Sequence, residues 1–280
     1  KHLFPEVPAN GGCLAPIRFV VPEGSLLAAN APKPVAGYTE TILRVIDTVF
    51  RAFAQAAPAR ATAGPFATIN ALSISGWREA ATRWVMFCFF GGGLGGNPES
   101  DGLNHGNNPI STATIPPLEI LEAAYPVRFT QWALRPDSGG PGLHRGGLGA
   151  IYEIAVDDPR GAEAFLLGER GRFPPFGVNG GGNAAPNRFG YETESGWESP
   201  PMVSKVFGVR LAPGARVRLE TPGGGGWGEA RARDPARVAR DVRLGYVSVE
   251  AARRDYAVVV SADGTVDAAA TAALREGGAA

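Results

Sequence analysis

The chain has 280 residues, 44% of them hydrophobic, which is enough for a sizeable core in one large domain or two ordinary ones. Its 27 Lys and Arg balance 27 Asp and Glu, and no basic run supplies the footprint that nucleic acid or an anionic membrane requires. The 39 glycines and 24 prolines are interspersed with apolar strand-like runs, which indicates an α+β, β-rich protein with Gly/Pro-rich loops.

Cys13 and Cys88 lack metal-type spacing, and with three histidines no Cys/His metal site is expected in this chain. Both are read as reduced thiols of a cytoplasmic protein. The most apolar run, "WVMFCFF" at 84–90, is far too short to cross a bilayer and reads as a buried strand. The sequence starts with Lys1 and shows no signal peptide, so a processed chain, a cloned piece or a fragment is expected.

In chain order, 17–21 reads as a strand that turns at Pro22-Glu23-Gly24. Ile42, Val45, Ile46, Val49, Phe50 and Phe53 recur at helical spacing, so one long helix is expected near 41–57, capped by Thr39 or Thr41 and stopped by Pro58. Two β-like runs within 67–90 lead into a polar loop, 91–117, without apolar periodicity, the mark of a functional loop. A short helix follows in "LEILEAAYP", then strands at 127–134 and 150–156 around a glycine-rich connection. "EAFLLGER" is another strand, and "SKVFGVRLAPGARVRLETP" reads as a hairpin turned at Pro213-Gly214. Asp234 before Pro235, and Ser248 before "VEAARRDY", cap two short C-terminal helices. The expected organisation is an N-terminal α+β part over 1–125, a β-rich part over 126–262 and a frayed tail over 263–280.

The run "PGGGGWG" at 222–228 has no following Lys-Ser/Thr and no helix directly after it, so it fits neither phosphate-binding pattern well. Its alternative is a tight passage of one backbone against another, with Trp227 packed over it. His105 sits among Asp101, Asn104, Asn107, Asn108, Ser111 and Thr112, a density of polar groups suited to orienting a small ligand, and is the candidate acid–base group; His144 reads as a turn cap. Arg135, Asp137 and Arg145 lie on Gly-rich connections: either they pair with one another, or an arginine is left to bind a carboxylate or phosphoryl group. Glu40 stands at the entrance of the long helix, where a carboxylate favours the dipole.

The blocks "NGGCLAPIRFVVPEGSLL", "GYTETILRVID", "LEILEAAYPV", "LRPDSGGPGLHRGGLGAIYE", "SKV" and "ETPGGGGWGEARARDPARVARDVRLGYVSVEAARRDYAVVV" run in order from about residue 4 to 260. Together they resemble the C-terminal half of the hydantoinase B/oxoprolinase family. The resemblance implies a B-type component acting beside a hydantoinase A-type subunit that binds and cleaves ATP. Such pairs open cyclic amides such as hydantoins, 5-oxoproline or lactams, or carboxylate ketones; in both branches ATP activates an unreactive oxygen. B-type chains are usually about twice this long, and their other half carries the acidic and histidine residues associated with a divalent metal. A separate chain supplying that half is therefore expected, with ATP and metal in partner chains and no cofactor bound by this one.

The sequence departs from the family pattern in the polar loop. Where many members have "VHxHMTNTRNTP", an ungapped alignment puts the family's histidines on Asn107 and Pro109 and its Asn and Arg on Thr112 and Thr114, so neither family histidine falls on His105. The "GNTET" of the family becomes "GYTET", with Tyr38 for Asn. The expected function is part of an ATP-dependent cyclic-amide hydrolase, with a ketone carboxylase and a non-catalytic assembly module as alternatives. Glu40 and His105 are the candidate catalytic residues. Tyr38, Asn107, Asn108, Arg135, Asp137 and Arg145 are the candidate substrate-binding residues.

Overall fold

The computed structural model describes residues 6–8, 10–13, 15–78, 82–107 and 116–277. Strands β1 (Ala71–Trp77) and β2 (Arg83–Cys88) pair antiparallel, as do β3 (Val127–Leu134) and β4 (Ala150–Val156). They are followed by β5 (Ala162–Leu167), β6 (Arg188–Thr193), β7 (Gly196–Glu198), β8 (Lys205–Leu211) and β9 (Arg216–Glu220). Two antiparallel sheets result, one ordered β2-β1-β5-β8 and the other β3-β4-β9-β6-β7. They enclose one core, with Leu72, Ile74, Met86 and Leu166 from the first meeting Tyr152, Ile154, Phe189 and Leu219 from the second. The protein is α+β and β-rich.

The alternation of β2 explains why the run at 84–90 is only half buried. Trp84, Met86 and Cys88 point into the core while Val85 and Phe87, alternating with them along the strand, face outward, with the Phe89 ring 5.0 Å from that of Phe87. Burial pushes the Cys88 thiol up to about 11, and neither it nor the exposed Cys13 is in a disulfide.

The structure differs from the sequence expectations at several places. Residues 17–21 are irregular and exposed: the β-branched pattern is there, but no neighbouring strand supplies a ladder. Pro213-Gly214 does turn the chain, with Gly214 at φ +80 and Ala215 N–H bonded to Ala212 O at 3.0 Å, yet the turn carries it from one sheet to the other rather than closing a hairpin. A boundary at residue 125 would cut through a sheet, since β1 pairs with β5. The tail is not frayed throughout: beyond α1 (Tyr38–Ala56), α2 (Leu118–Ala124), α3 (Pro235–Arg243) and α4 (Val249–Tyr256), a further helix α5 (Ala268–Glu276) closes the described chain. Asp267 caps it through Ala270 N–H at 2.9 Å, and Arg275 ties it back by donating to Arg233 O at 2.9 Å.

The ends of α3 and α4 follow from local chemistry. Asp234 accepts from Ala236 N–H at 2.8 Å, and Ser248 accepts from Ala251 N–H at 3.1 Å. By contrast, α1 begins at Tyr38 behind Gly37 without a side-chain cap, so Thr39 and Thr41 lie inside it.

Beside the sheets, the glycine-rich connections form a bundle of extended segments with residues 222–228 at its centre. Gly224 and Trp227 donate to Gly147 O and His144 O, each at 2.9 Å, while Gly93 and Gly96 donate to Pro222 O and Gly225 O at 3.0 and 2.9 Å. The same neighbour is thus met at every third residue. Between these contacts, Gly225 donates to Gly64 O at 2.8 Å and Gly226 to Gly182 O at 2.9 Å, which brings in two more segments. A repeat of three is that of a polyproline-II-type helix, whose backbone groups point outward and must find partners on neighbouring chains. A Cβ on Gly223, Gly224, Gly225 or Gly226 would overlap the carbonyl oxygen of Ser138, Leu94, Phe176 or Pro141 respectively, so side chains are excluded from the bundle axis. The N–H groups of 224–227 are all spent on backbone carbonyls, and none is left for a phosphate.

Candidate functional site

The polar loop leaves the bundle at Gly96 and is held from both sides by charge. Asp101 receives Arg233 in bidentate fashion at 2.7 and 2.8 Å, Arg237 at 2.9 Å and the backbone N–H of Arg145 at 2.8 Å. Burial opposes its charge, but the bonds and positive charge of Arg233, with Arg237 and the Arg145 N–H, outweigh it and lower the carboxyl to about 2. Arg233 itself is fully buried and continues to Asp241 at 2.8 Å and to Leu143 O at 2.9 Å. Asn104 then accepts from Leu148 N–H at 2.9 Å and from Arg145 at 3.2 Å. The α3 region and the loop are in this way one electrostatic unit.

Next along the loop, His105 takes a left-handed backbone conformation at φ +47 and donates its N–H to Leu148 O at 2.8 Å. Its ring packs against Trp132 and Tyr152. Nε2 accepts from Trp132 Nε1–H at 3.2 Å and meets the Tyr152 hydroxyl. Burial pushes the Tyr152 phenol well up, so it stays protonated and donates, which leaves Nε2 as acceptor and places the ring proton on Nδ1. Burial also lowers the His105 pKa, and the neutral ring is the stable form. With Nε2 engaged by two donors, the proton His105 can offer is the one on Nδ1.

A groove of about 520 Å³ runs between α1 and the loop. Leu43, Phe50, Ala63, Leu94 and Leu103 give it apolar walls, and Asp47, Asn97, Ser100 and Asp101 supply polar lining. Behind it, Asp47 is held by Arg170 at 2.9 Å and Arg44 at 3.7 Å. Burial, added to by the charge of Arg44, lowers Arg170 to about 10 against the pull of Asp47. Among the described residues no three His, Cys, Asp or Glu side chains converge, so these residues do not by themselves fit a metal ion.

The candidate residues are spread over several places. Glu40 is buried under the start of α1, accepting from Ile69 N–H at 2.7 Å and from Thr68 at 3.0 and 3.2 Å; burial raises its pKa and these bonds oppose the rise. Arg135 is buried against Pro186 O at 2.7 Å, Thr221 O at 3.2 Å and the Glu220 carboxylate at 3.3 Å. Asp137 accepts from Ser248 N–H at 2.8 Å, at the start of α4, and Arg145 lies over the Tyr246 ring at 5.2 Å. These three do not pair with one another. Tyr38 is exposed beside a second groove, Asn107 is exposed at the end of the described loop, and Asn108 lies outside the described residues. Among the described residues, His105 and Arg145 share a unit, through Asn104. Sequence reading missed Tyr152, Trp132, Arg233 and Asp241 as neighbours of the loop: Tyr152, Trp132 and Asp241 stand in ordinary strand or helix patterns, and Arg233, in the bend before α3, is 132 positions from Asp101.

The model of the hydantoinase B/oxoprolinase family matches residues 1–230. The chain belongs to this family. It is 27% identical over 276 residues to the B-type chain of a putative D-/L-hydantoinase from a Pseudomonas species, a match that covers 98% of this chain and 46% of that one. The crystal structure of the ATP-dependent caprolactamase from Pseudomonas jessenii superposes with a TM-score of 0.80 at 29% identity, over 92% of this chain and 46% of its own. Nucleotide-free acetone carboxylase gives a TM-score of 0.69 at 25% identity, over 80% of this chain and 34% of its own. The chain thus spans less than half of each of these proteins.

Proposed function

We propose that this chain forms part of the B-type component of an ATP-dependent cyclic-amide hydrolase that works with an A-type ATP-binding subunit and with a polypeptide supplying the rest of the B-type chain. The observation that carries the reading is the caprolactamase superposition, which is closer and covers more of the chain than that of acetone carboxylase. ATP and a divalent metal are assigned to the partner chains, which agrees with the fully engaged N–H groups at 224–227. The role proposed for this chain is to wall the substrate site with the loop at 97–107: His105 offers its Nδ1–H to a polar ligand atom, and Asn107 with Asn108 selects the substrate. Arg145 holds that wall in place through Asn104 and Asp101, while Glu40, Arg135 and Asp137 act elsewhere in the protein as structural anchors. Tyr38 is assigned to the rim of the second groove.

The likeness to acetone carboxylase supports a second reading, an ATP-dependent ketone carboxylase. The assembled complex, given ATP with hydantoins and lactams or with ketones and bicarbonate, separates the two. Ring opening coupled to ADP or AMP release supports the hydrolase, and bicarbonate-dependent turnover of a ketone overturns it. His105→Ala is expected to lower turnover of the complex about 10²-fold, the scale of a lost acid–base group. A change within about threefold would reduce this chain to an assembly module.

A further inference from the structure

Helix α1 is amphipathic, but its faces are reversed for a protein in water. Positions 40, 44, 47 and 51 fall on one face at helical spacing and carry Glu, Arg, Asp and Arg. Most of that charged face is turned inward: Glu40 and Asp47 are each 6% exposed and Arg44 is half-buried, while Arg51 at its end is exposed and lies over the Phe176 ring at 5.6 Å. The opposite face carries Ile42, Val45, Val49 and Phe53, and there Val49 is 47% and Phe53 54% exposed. Apolar side chains continue into the preceding segment, where Phe19 and Val20 are exposed and Leu26 and Leu27 line a groove of about 960 Å³ together with Tyr38, Ile42 and Val45. Burying charge is costly and demands the pairing seen here, whereas an apolar stripe left in water contributes nothing to folding. The helix is therefore shaped for a second apolar neighbour, which the described residues do not supply.

We propose that the outer stripe of α1 with the segment before it is the docking surface for the part of the B-type polypeptide that this chain does not span. This rests on the family reading given above and adds to it the place of contact. The length of the relatives supports the choice of occupant. The chain covers 46% of the B-type hydantoinase chain and of the caprolactamase chain, so in those proteins a comparable length of polypeptide lies outside the matched part. The stripe and its preceding segment also lie wholly within the region that matches the family model, residues 1–230.

The test places single thiols on the stripe. In a Cys13→Ser background, which removes the exposed native cysteine and leaves buried Cys88, Val49→Cys and Phe53→Cys are labelled with a maleimide in two samples. One is the chain alone. The other is the chain assembled with the polypeptide from the same source that matches the unspanned part of the relatives. Labelling at both positions is expected to slow at least about tenfold on assembly, as for side chains moved into a packed, water-excluding interface, while Arg253→Cys on exposed α4 keeps its rate. Val49→Asp with Phe53→Asp is expected to weaken the assembly at least about 30-fold and to leave the helix content of the isolated chain unchanged. If the assembly forms but the thiols stay reactive, the docking surface is wrong and the family reading stands. If no assembly forms, both fail together. Protection that appears in the chain alone as its concentration rises would assign the stripe to a second copy and overturn the proposal.

Discussion

Gly225→Ala should be among the most damaging single-methyl changes in the protein. Its new Cβ would lie 1.9 Å from the Phe176 carbonyl oxygen, more than 1 Å inside the 3.0 Å limit that real Cβ contacts respect, and 2.5 Å from its carbon, and a backbone cannot swing aside as a side-chain end can. To make room, the segments at 225 and 176 must separate, which stretches the bonds from Gly225 N–H to Gly64 O at 2.8 Å and from Gly96 N–H to Gly225 O at 2.9 Å. Overpacking costs about 1–3 kcal/mol and each weakened backbone bond roughly 1 kcal/mol, giving about 3–5 kcal/mol in total. At roughly 2–4 °C per kcal/mol for a chain of this size, Tm should fall by about 6–20 °C. Urea and thermal unfolding followed by circular dichroism, with the neighbouring Trp227 as a fluorescence probe, measure this directly. Gly37→Ala is the control: nothing lies within 4 Å of its added Cβ, and the change should stay within about 0.5 kcal/mol. A loss below about 1 kcal/mol for Gly225→Ala would refute the close-packed bundle.

Three further outcomes follow from the electrostatics. Asp101, lowered to about 2 from an ordinary 3.8, adds stability that is complete above the unfolded value and disappears as pH falls from about 4 towards 2. The stability gap between wild type and Asp101→Asn, measured by urea unfolding, should therefore close by about 2 kcal/mol over that window. Arg233→Met leaves the Asp101 and Asp241 carboxylates without their shared cation and should cost about 3–5 kcal/mol, read as a lower urea midpoint. For His105, ¹⁵N spectra near pH 6 should show a neutral ring protonated on Nδ1 that titrates below the usual histidine range; Tyr152→Phe removes a donor to Nε2 and should raise that pKa.

Much of the strand and cap pattern could be read from the sequence because it depends on neighbours in the chain. β3 and β4 fall on the expected residues, and the caps at Asp234 and Ser248 use side chains two or three positions from their targets. What depended on distant partners was not legible. Nothing in 17–21 says that its ladder partner is missing, and nothing around Pro213-Gly214 says that the two flanking strands belong to different sheets. The candidate site shows the same division. The polar loop stands out by composition, but the Asp101–Arg233 and His105–Tyr152 contacts bridge 132 and 47 positions. The apolar spacing of α1 correctly marked a helix, yet spacing alone cannot say which face turns towards the rest of the protein. The glycine run raised the right alternative, backbone against backbone, without its period.

That period constrains how the sequence can change length. Pro222 and residues 224–227 are each hydrogen-bonded to a particular neighbouring segment, and the bonds from 224 and 227, like those to 222 and 225, return to one segment after three residues. Deleting or inserting one glycine would rotate every later N–H and carbonyl towards the wrong neighbour, whereas a whole triplet keeps the register. A length series within this stretch should therefore alternate, with changes of one or two residues failing and changes of three tolerated. Such a bundle grows or shrinks in steps of one turn, and its length is counted in threes.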